Sequence, residues 1–346
     1  MFRDVILPLL YGLIIFFGGM KLMETALQRM AGPMLAGWLN RATSAPWKGM
    51  AFSAGATALL QSSTAVTVLT IGLANARLIT YGRTLGIILG TNIGTCLTTE
   101  LVGLQIGRAS LPLLVLSLTG WAVFVVLGER NLAAPERTRR TLFNIQYSFL
   151  AAAGFALVMT GIQVMQSIAI PLRSMGVFQW FLDRSADSLW WGFLAGACLT
   201  ALIHSSAAVI SMAITLAATG VLPVEIGIAI VIGSNVGTCI TAVIAAAGGA
   251  SAGKFVAASH VVLNIAGALL FMPLIGELHA ASAWLSADYG AQIAHAQTLF
   301  NITSSLLALP FCYLPIWHKN HRSTPLRRSH PWLDDLPVQA HRRAAN

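Results

Sequence analysis

The sequence predicts an all-α polytopic membrane protein with two inverted-topology repeats, each holding a re-entrant hairpin and a broken transmembrane helix. Three observations carry that prediction. The chain of 346 residues is 56% hydrophobic and only 10% charged, whereas soluble domains carry about 25% charge. Several apolar runs reach the roughly 20 residues that a bilayer crossing needs. Two polar tracts, finally, recur at one fixed spacing. This composition excludes a disordered chain, a secreted disulfide scaffold and an ordinary water-soluble enzyme.

The first span is 5–23, too long an apolar run for a cleavable signal. Residues 49–104 are apolar but interrupted at Gln61-Ser62-Ser63-Thr64 and at Gly90-Thr91-Asn92-Ile93-Gly94-Thr95. Polar backbone at membrane depth persists only where protein covers it or where it lines a cavity. This region reads as a hairpin, 49–76, and a broken span, 85–104; with the span 111–128 it completes a first repeat, 1–128. A basic loop, 129–142, follows. The second repeat, 143–276, has a span at 143–166, a hairpin at 190–219, a broken span at 225–247 and a span at 255–276. An outer loop and last span fill 277–317, and a basic tail occupies 318–346.

The repeat is legible in the residues. Thr57–Val66 matches Thr200–Val209 at seven of ten positions, and the Gly90 tract matches the Gly233 tract, through Thr241, at six of nine. Both pairs have an offset of 143. Two polar motifs sharing one offset imply a duplicated unit. Gly12 and Gly19 extend it, standing opposite Gly154 and Gly161 at an offset of 142.

Charge sets the orientation. With the basic tail and the Glu129–Arg140 loop taken as cytoplasmic, 17 basic residues fall inside and four (Arg3, Arg108, Arg173 and Arg184) outside. The N-terminus is then outside the cytoplasmic (inner) membrane, and the two repeats are opposed. The net charge of +9 reads as topology signal and lipid contact, not as a nucleic-acid surface. Cys96, Cys198, Cys239 and Cys312 all lie in apolar stretches and read as buried thiols.

Opposed repeats with interrupted helices are the architecture of secondary transporters. At each tip a new half-helix starts after a serine, so free N–H groups and the positive dipole end face the site. Such an end favours an anion. Neither hairpin holds a Lys or Arg between Gly49 and Ala76 or between Trp190 and Gly220. A cation is the natural counterpart of buried negative charge. Thr91, Asn92 and Thr95, with Ser234, Asn235 and Thr238, offer neutral oxygens beside the expected helix breaks, the ligand type that hard ions such as Na⁺ prefer.

The paired Gln-Ser-Ser and Gly-x-Asn-x-Gly-Thr tracts resemble the type II sodium/phosphate cotransporter family. So do Gly18–Met23, Leu142-Phe143-Asn144 and Leu299-Phe300-Asn301, over about residues 5 to 315. The resemblance implies phosphate held at Gln61, Ser62, Ser63 and Thr64 of one tip and at Ser205 and Ser206 of the other. His204 stands where that pattern has Gln, and Ala207 where it has Ser or Thr. The regulatory domain that many bacterial relatives carry after the last span is missing from this sequence.

The expected partners are inorganic phosphate, sodium ions and the lipid bilayer; no nucleic acid is expected, and homo-oligomer formation is left open. No cofactor and no metal beyond Na⁺ is expected, and the chain reads as a transporter rather than an enzyme. Rival readings are transport of another oxyanion, a non-transporting phosphate sensor or scaffold, and an intramembrane serine hydrolase. The last does not explain why its site would be duplicated.

Overall fold

In a computed structural model of the chain, residues 2–42, 45–76, 78–104, 106–131 and 133–317 are described. The basic tail at 318–346 lies outside them. Helices account for nearly all of this length, and no strand occurs among the described residues.

The order is α1 (Leu7–Ala42), α2 (Pro46–Leu60), α3 (Ser63–Asn75), α4 (Tyr81–Gly103) and α5 (Ser110–Arg130). It continues with α6 (Glu136–Gln166), α7 (Ala169–Arg173), α8 (Gly176–Asp187), α9 (Trp190–Ile203) and α10 (Ser206–Ala218). It ends with α11 (Val224–Gly237), α12 (Cys239–Ala246), α13 (Ser251–Phe271), α14 (Ile275–Leu285) and α15 (Tyr289–Ala308). Six stretches are long and apolar enough to cross a membrane: Phe2–Ala31, Tyr81–Gly103, Ser110–Arg130, Glu136–Gln166, Val224–Ala246 and Ser251–Leu285. The chain is a multi-pass membrane protein.

Small residues set the packing. A Cβ on Gly12 would stand 2.9 Å from the Gly161 carbonyl oxygen, and one on Gly19 would stand 2.6 Å from that of Gly154. Contact at 12 with 161 and at 19 with 154 means that α1 and α6 run antiparallel. It also makes the contact reciprocal, because Gly12 and Gly154 are repeat mates, as are Gly19 and Gly161.

The hairpins pack in register with the helices that follow them. A Cβ on Gly94 would stand 2.5 Å from the Ala54 carbonyl oxygen, and one on Gly237 would stand 2.5 Å from that of Ala197. One turn earlier, Gly90 meets the Met50 carbonyl and Gly233 that of Phe193; all four pairs are 40 residues apart, so α2 lies parallel to α4 just as α9 lies parallel to α11.

These glycines explain a departure from the sequence expectation. The Gly90–Thr95 tract does not break its helix: α4 runs continuously from Tyr81 to Gly103. Its glycines serve close approach to α2, and its threonines bond back along the helix. The corresponding helix is interrupted only at Thr238, between α11 and α12, where Thr241 N–H bonds the Thr238 carbonyl at 3.3 Å.

Two other expectations shift. The last helix is α15, which begins nine residues before the expected 298 and gives way to a 3₁₀ turn over Leu309–Tyr313. Pro310 accounts for that end, because it lacks an amide donor. Of the four cysteines, Cys198 is exposed and the others are buried.

An amide network holds the centre. Asn92 Nδ2 donates to Asn264 Oδ1 at 3.2 Å, and Asn235 Nδ2 donates to Asn301 Oδ1 at 3.1 Å. Cys96 Sγ lies 3.9 Å from the Gln297 carbonyl oxygen, and Cys239 Sγ 3.5 Å from that of His260. Asn92 and Asn235 are repeat mates, as are Cys96 and Cys239. Their partners on α13 and α15 therefore occupy equivalent seats. In sequence, α5 follows α4 as α13 follows α12, yet α5 lies outside this network. Of its residues only Ser110 and Ser117 are buried. The seat that strict duplication would give to α5 is taken by α15.

Candidate functional site

The site begins with two left-handed residues. Gln61 (φ 53°, ψ 30°) ends α2, and His204 (φ 58°, ψ 25°) ends α9. Among the described residues they are the only non-glycine positions with positive φ. That conformation costs a side-chain-bearing residue roughly 1–2 kcal/mol. Backbone strain of this kind clusters at ligand-binding and switch sites. It lets each chain reverse within two residues and start a new helix.

The next residue caps that helix. Ser62 (φ −148°, ψ 97°) accepts a hydrogen bond from Ala65 N at 3.3 Å, and Ser205 (φ −146°, ψ 101°) accepts one from Ala208 N at 3.3 Å. Each cap satisfies one of the orphan N–H groups of the first turn. The amides of Ser63 and Thr64, and those of Ser206 and Ala207, remain at the positive helix end. The Ser63 and Ser206 hydroxyls make no hydrogen bond among the described residues. Each tip thus presents one uncommitted hydroxyl and two uncommitted amides, the equipment that receives an oxyanion.

The side chains flanking the caps differ. Gln61 is half-buried and tied down: Thr98 Oγ1 donates to its Oε1 at 2.7 Å, and its Nε2 donates to the Ala58 carbonyl. Thr98 belongs to α4 and was not singled out by the sequence. Its repeat mate Thr241 instead donates to the Thr238 carbonyl at 2.9 Å. The His204 backbone N–H donates to the Thr200 carbonyl at 2.8 Å, but its side chain is exposed and makes no hydrogen bond among the described residues, and Thr64 is exposed. The hydrogen bonds of each tip stay within its own repeat.

The expected cation ligands are all engaged elsewhere. Thr91 Oγ1 donates to the Ile88 carbonyl at 2.7 Å, and Thr95 Oγ1 to that of Asn92 at 2.8 Å. Ser234 Oγ lies 3.5 Å from the Gly196 carbonyl oxygen, and Thr238 Oγ1 donates to that of Ser234 at 2.9 Å. Asn92 and Asn235 are spent on the central amide pairs. With α4 unbroken, its carbonyls in this tract are not freed for an ion.

Glu100 is partly buried. It pairs with His295 Nδ1 at 2.9 Å and accepts a bond from Thr298 Oγ1, fastening α4 to α15. A cavity of about 170 Å³ lies among α4, α6 and α10, lined by Val102, Gln163, Gln166 and Thr215 among others. Thr215 is ten residues from Ser205, or about 15 Å along the helix, so this cavity is not the space between the tips.

Comparison with known proteins gives consistent results. A family model described as Na⁺/Pi-cotransporter matches residues 15–167 and 172–290. The chain is 34% identical over 303 residues to "Uncharacterized protein YqeW" of Bacillus subtilis (strain 168), which covers 87% of this chain and 93% of that one. It is 26% identical over 309 residues to "Putative inorganic phosphate export protein YjbB" of Escherichia coli (strain K12), which covers 88% of this chain and 53% of the relative. The chain thus spans about half the length of that relative. No solved structure matches.

Proposed function

The chain belongs to the Na⁺/Pi-cotransporter family, and from that premise we propose that it is a sodium-coupled carrier of inorganic phosphate. One observation carries the reading: the same strained residue and serine cap occur twice, at repeat-related positions, on hairpins with no Lys or Arg between Gly49 and Ala76 or between Trp190 and Gly220. An anion at such tips is held by hydroxyls, amides and two helix dipoles. These groups bind without a fixed positive charge that would resist release. The remaining negative charge is costly inside a membrane, which makes a cotransported cation the economical solution.

In this reading the two repeats are opposed across the membrane, each hairpin enters from its own side, and phosphate sits between Ser62-Ser63 and Ser205-Ser206. Rocking of one repeat against the other would expose that site alternately. A carrier of this kind is reversible, and ion gradients set its direction. The export named for the Escherichia coli relative is therefore the same chemistry run outward. The Glu129–Arg140 loop faces the cytoplasm and the α14–α15 connection faces outside.

The test is flux in proteoliposomes. Labelled phosphate should accumulate with an imposed Na⁺ gradient and should not do so when K⁺ or choline replaces Na⁺. Equal uptake in choline without a proton gradient would overturn the coupling. Orientation is tested by thiol labelling: Trp284→Cys, at a position 86% exposed, should react from outside and Arg139→Cys from inside.

A further inference from the structure

Six buried side-chain polar atoms lack a hydrogen-bond partner among the described residues: Thr57 Oγ1, Ser185 Oγ, Thr200 Oγ1, Ser211 Oγ, His260 Nδ1 and Gln297 Oε1. Buried polar groups are nearly always satisfied, so each exception calls for a cause such as a bound water or ion. Only one pair among the six is related by the 143-residue offset, Thr57 and Thr200. Their exposures are 0% and 1%. The sequence has kept an unsatisfied hydroxyl twice, in the same place.

That place borders the tips. Thr57 and Thr200 each lie four residues before the left-handed residue, on the same face of α2 or α9. A Cβ on Gly94 would stand 2.5 Å from Thr57 Cβ, and one on Gly237 would stand 2.8 Å from Thr200 Cβ. Both threonines therefore sit in the seam between hairpin and following helix. In the first seam, one turn beyond Gly94, Thr98 bonds Gln61. In the second, Gly237 adjoins Thr238, where the helix is interrupted. Both seams also receive the C-terminal end of a half-helix, which carries negative partial charge; there the Thr200 carbonyl takes the His204 N–H and the Ala58 carbonyl takes Gln61 Nε2, each keeping a second lone pair. Hydroxyl, carbonyl and amide oxygens without carboxylate or thiolate are the ligand chemistry of a small hard monovalent cation.

We propose that Thr57 and Thr200 each contribute a hydroxyl oxygen to a coupling-cation site in these two seams. The proposal rests on the sodium-coupled reading above and moves the ion away from the glycine tracts, whose side chains are already engaged. It places a cation within one helical turn of each anion-binding tip, on the opposite side of the left-handed residue. Cation at the C-terminal end of α2 or α9 and anion at the N-terminal end of α3 or α10 would then stabilise each other across two residues. That arrangement explains why the turn is tight enough to need a left-handed residue.

The isosteric change Thr→Val separates this role from a packing role. Removing an unsatisfied hydroxyl from a dry seam is neutral or stabilising. Thr57→Val and Thr200→Val should therefore melt no lower than wild type in KCl. In a NaCl titration of phosphate uptake at saturating phosphate, each should raise the half-saturating Na⁺ concentration on the order of tenfold. Thr57→Ser and Thr200→Ser should restore it. Should a valine variant fail to fold, the comparison of Thr→Ala with Thr→Ser at the same position reads the same difference. An unchanged Na⁺ requirement in both valine variants, with wild-type uptake still Na⁺-dependent, would overturn the assignment and leave the transport reading intact. Wild-type uptake that ignores Na⁺ would instead overturn the coupled reading from which the assignment starts.

Discussion

The two hairpin tips have the same backbone and different side chains. Their dihedral angles agree within a few degrees at the left-handed residue and at the serine cap, and both caps bond the third helical amide at 3.3 Å. Yet Gln61 is anchored to Thr98 across the seam, while His204 is exposed with no anchor. Thr64 of the first tip becomes Ala207 in the second. Duplication has preserved what the helix ends do and let the flanking chemistry diverge. The shared parts, caps and free amides, suit a ligand seen equally by both halves. The divergent parts suit roles that differ between the halves, such as binding ions of unequal affinity or opening to opposite faces.

The largest test of this comparison is steric. Gly94→Leu and Gly237→Leu each drive a branched side chain into the backbone of the neighbouring hairpin helix. Overpacking of this kind costs at least about 1–3 kcal/mol. Both variants should show strongly reduced yield and thermal stability, by similar amounts. A large difference between the two would mean that the seams are not equivalent.

Loss of the divergent residues should be unequal. Gln61→Ala removes the Thr98 hydrogen bond and leaves that hydroxyl to find another partner, a cost of about 1 kcal/mol. His204→Ala removes nothing that the protein uses for stability. Thermal melts in detergent should therefore drop for Gln61→Ala and stay level for His204→Ala. Equal drops would show an anchor for His204.

The smallest effect restores symmetry. Glycine adopts positive φ without penalty, so Gln61→Gly and His204→Gly relieve backbone strain of about 1 kcal/mol each. At His204 that gain should appear nearly whole, as a rise in melting temperature. At Gln61 it should be offset by the lost Thr98 bond. A fall at His204 would mean that the left-handed conformation there costs little.

Much of the fold was legible in the sequence because membrane helices announce themselves by apolar length and duplicated helix ends by repeated polar tracts. The Thr57–Val66 and Thr200–Val209 matches located both tips, and serine before a half-helix is a readable cap. Three things were not legible. Glycine serves both for breaking a helix and for bringing helices close, and the Gly90 tract alone does not say which; its contact with α2 decides it. The seating of α15 where duplication would put α5 depends on Asn264 and Asn301, whose 37-residue spacing matches no repeat. The orphaned hydroxyls of Thr57 and Thr200 are ordinary helix threonines until burial and bonding are known, although their recurrence at an offset of 143 was an available signal.

The central claim is that the two tips share one phosphate. It is tested most directly by phosphate binding to wild type, Ser63→Ala, Ser206→Ala and the double variant, all at saturating Na⁺. A hydrogen bond to a charged ligand is worth about 1.5–3 kcal/mol, so each single change should weaken binding roughly ten- to a hundredfold. Because both hydroxyls address one ion, the double variant should lose less than the product of the single losses. Unchanged affinity in all three variants, with small and additive losses of stability, would contradict the account and leave these serines as structural caps alone.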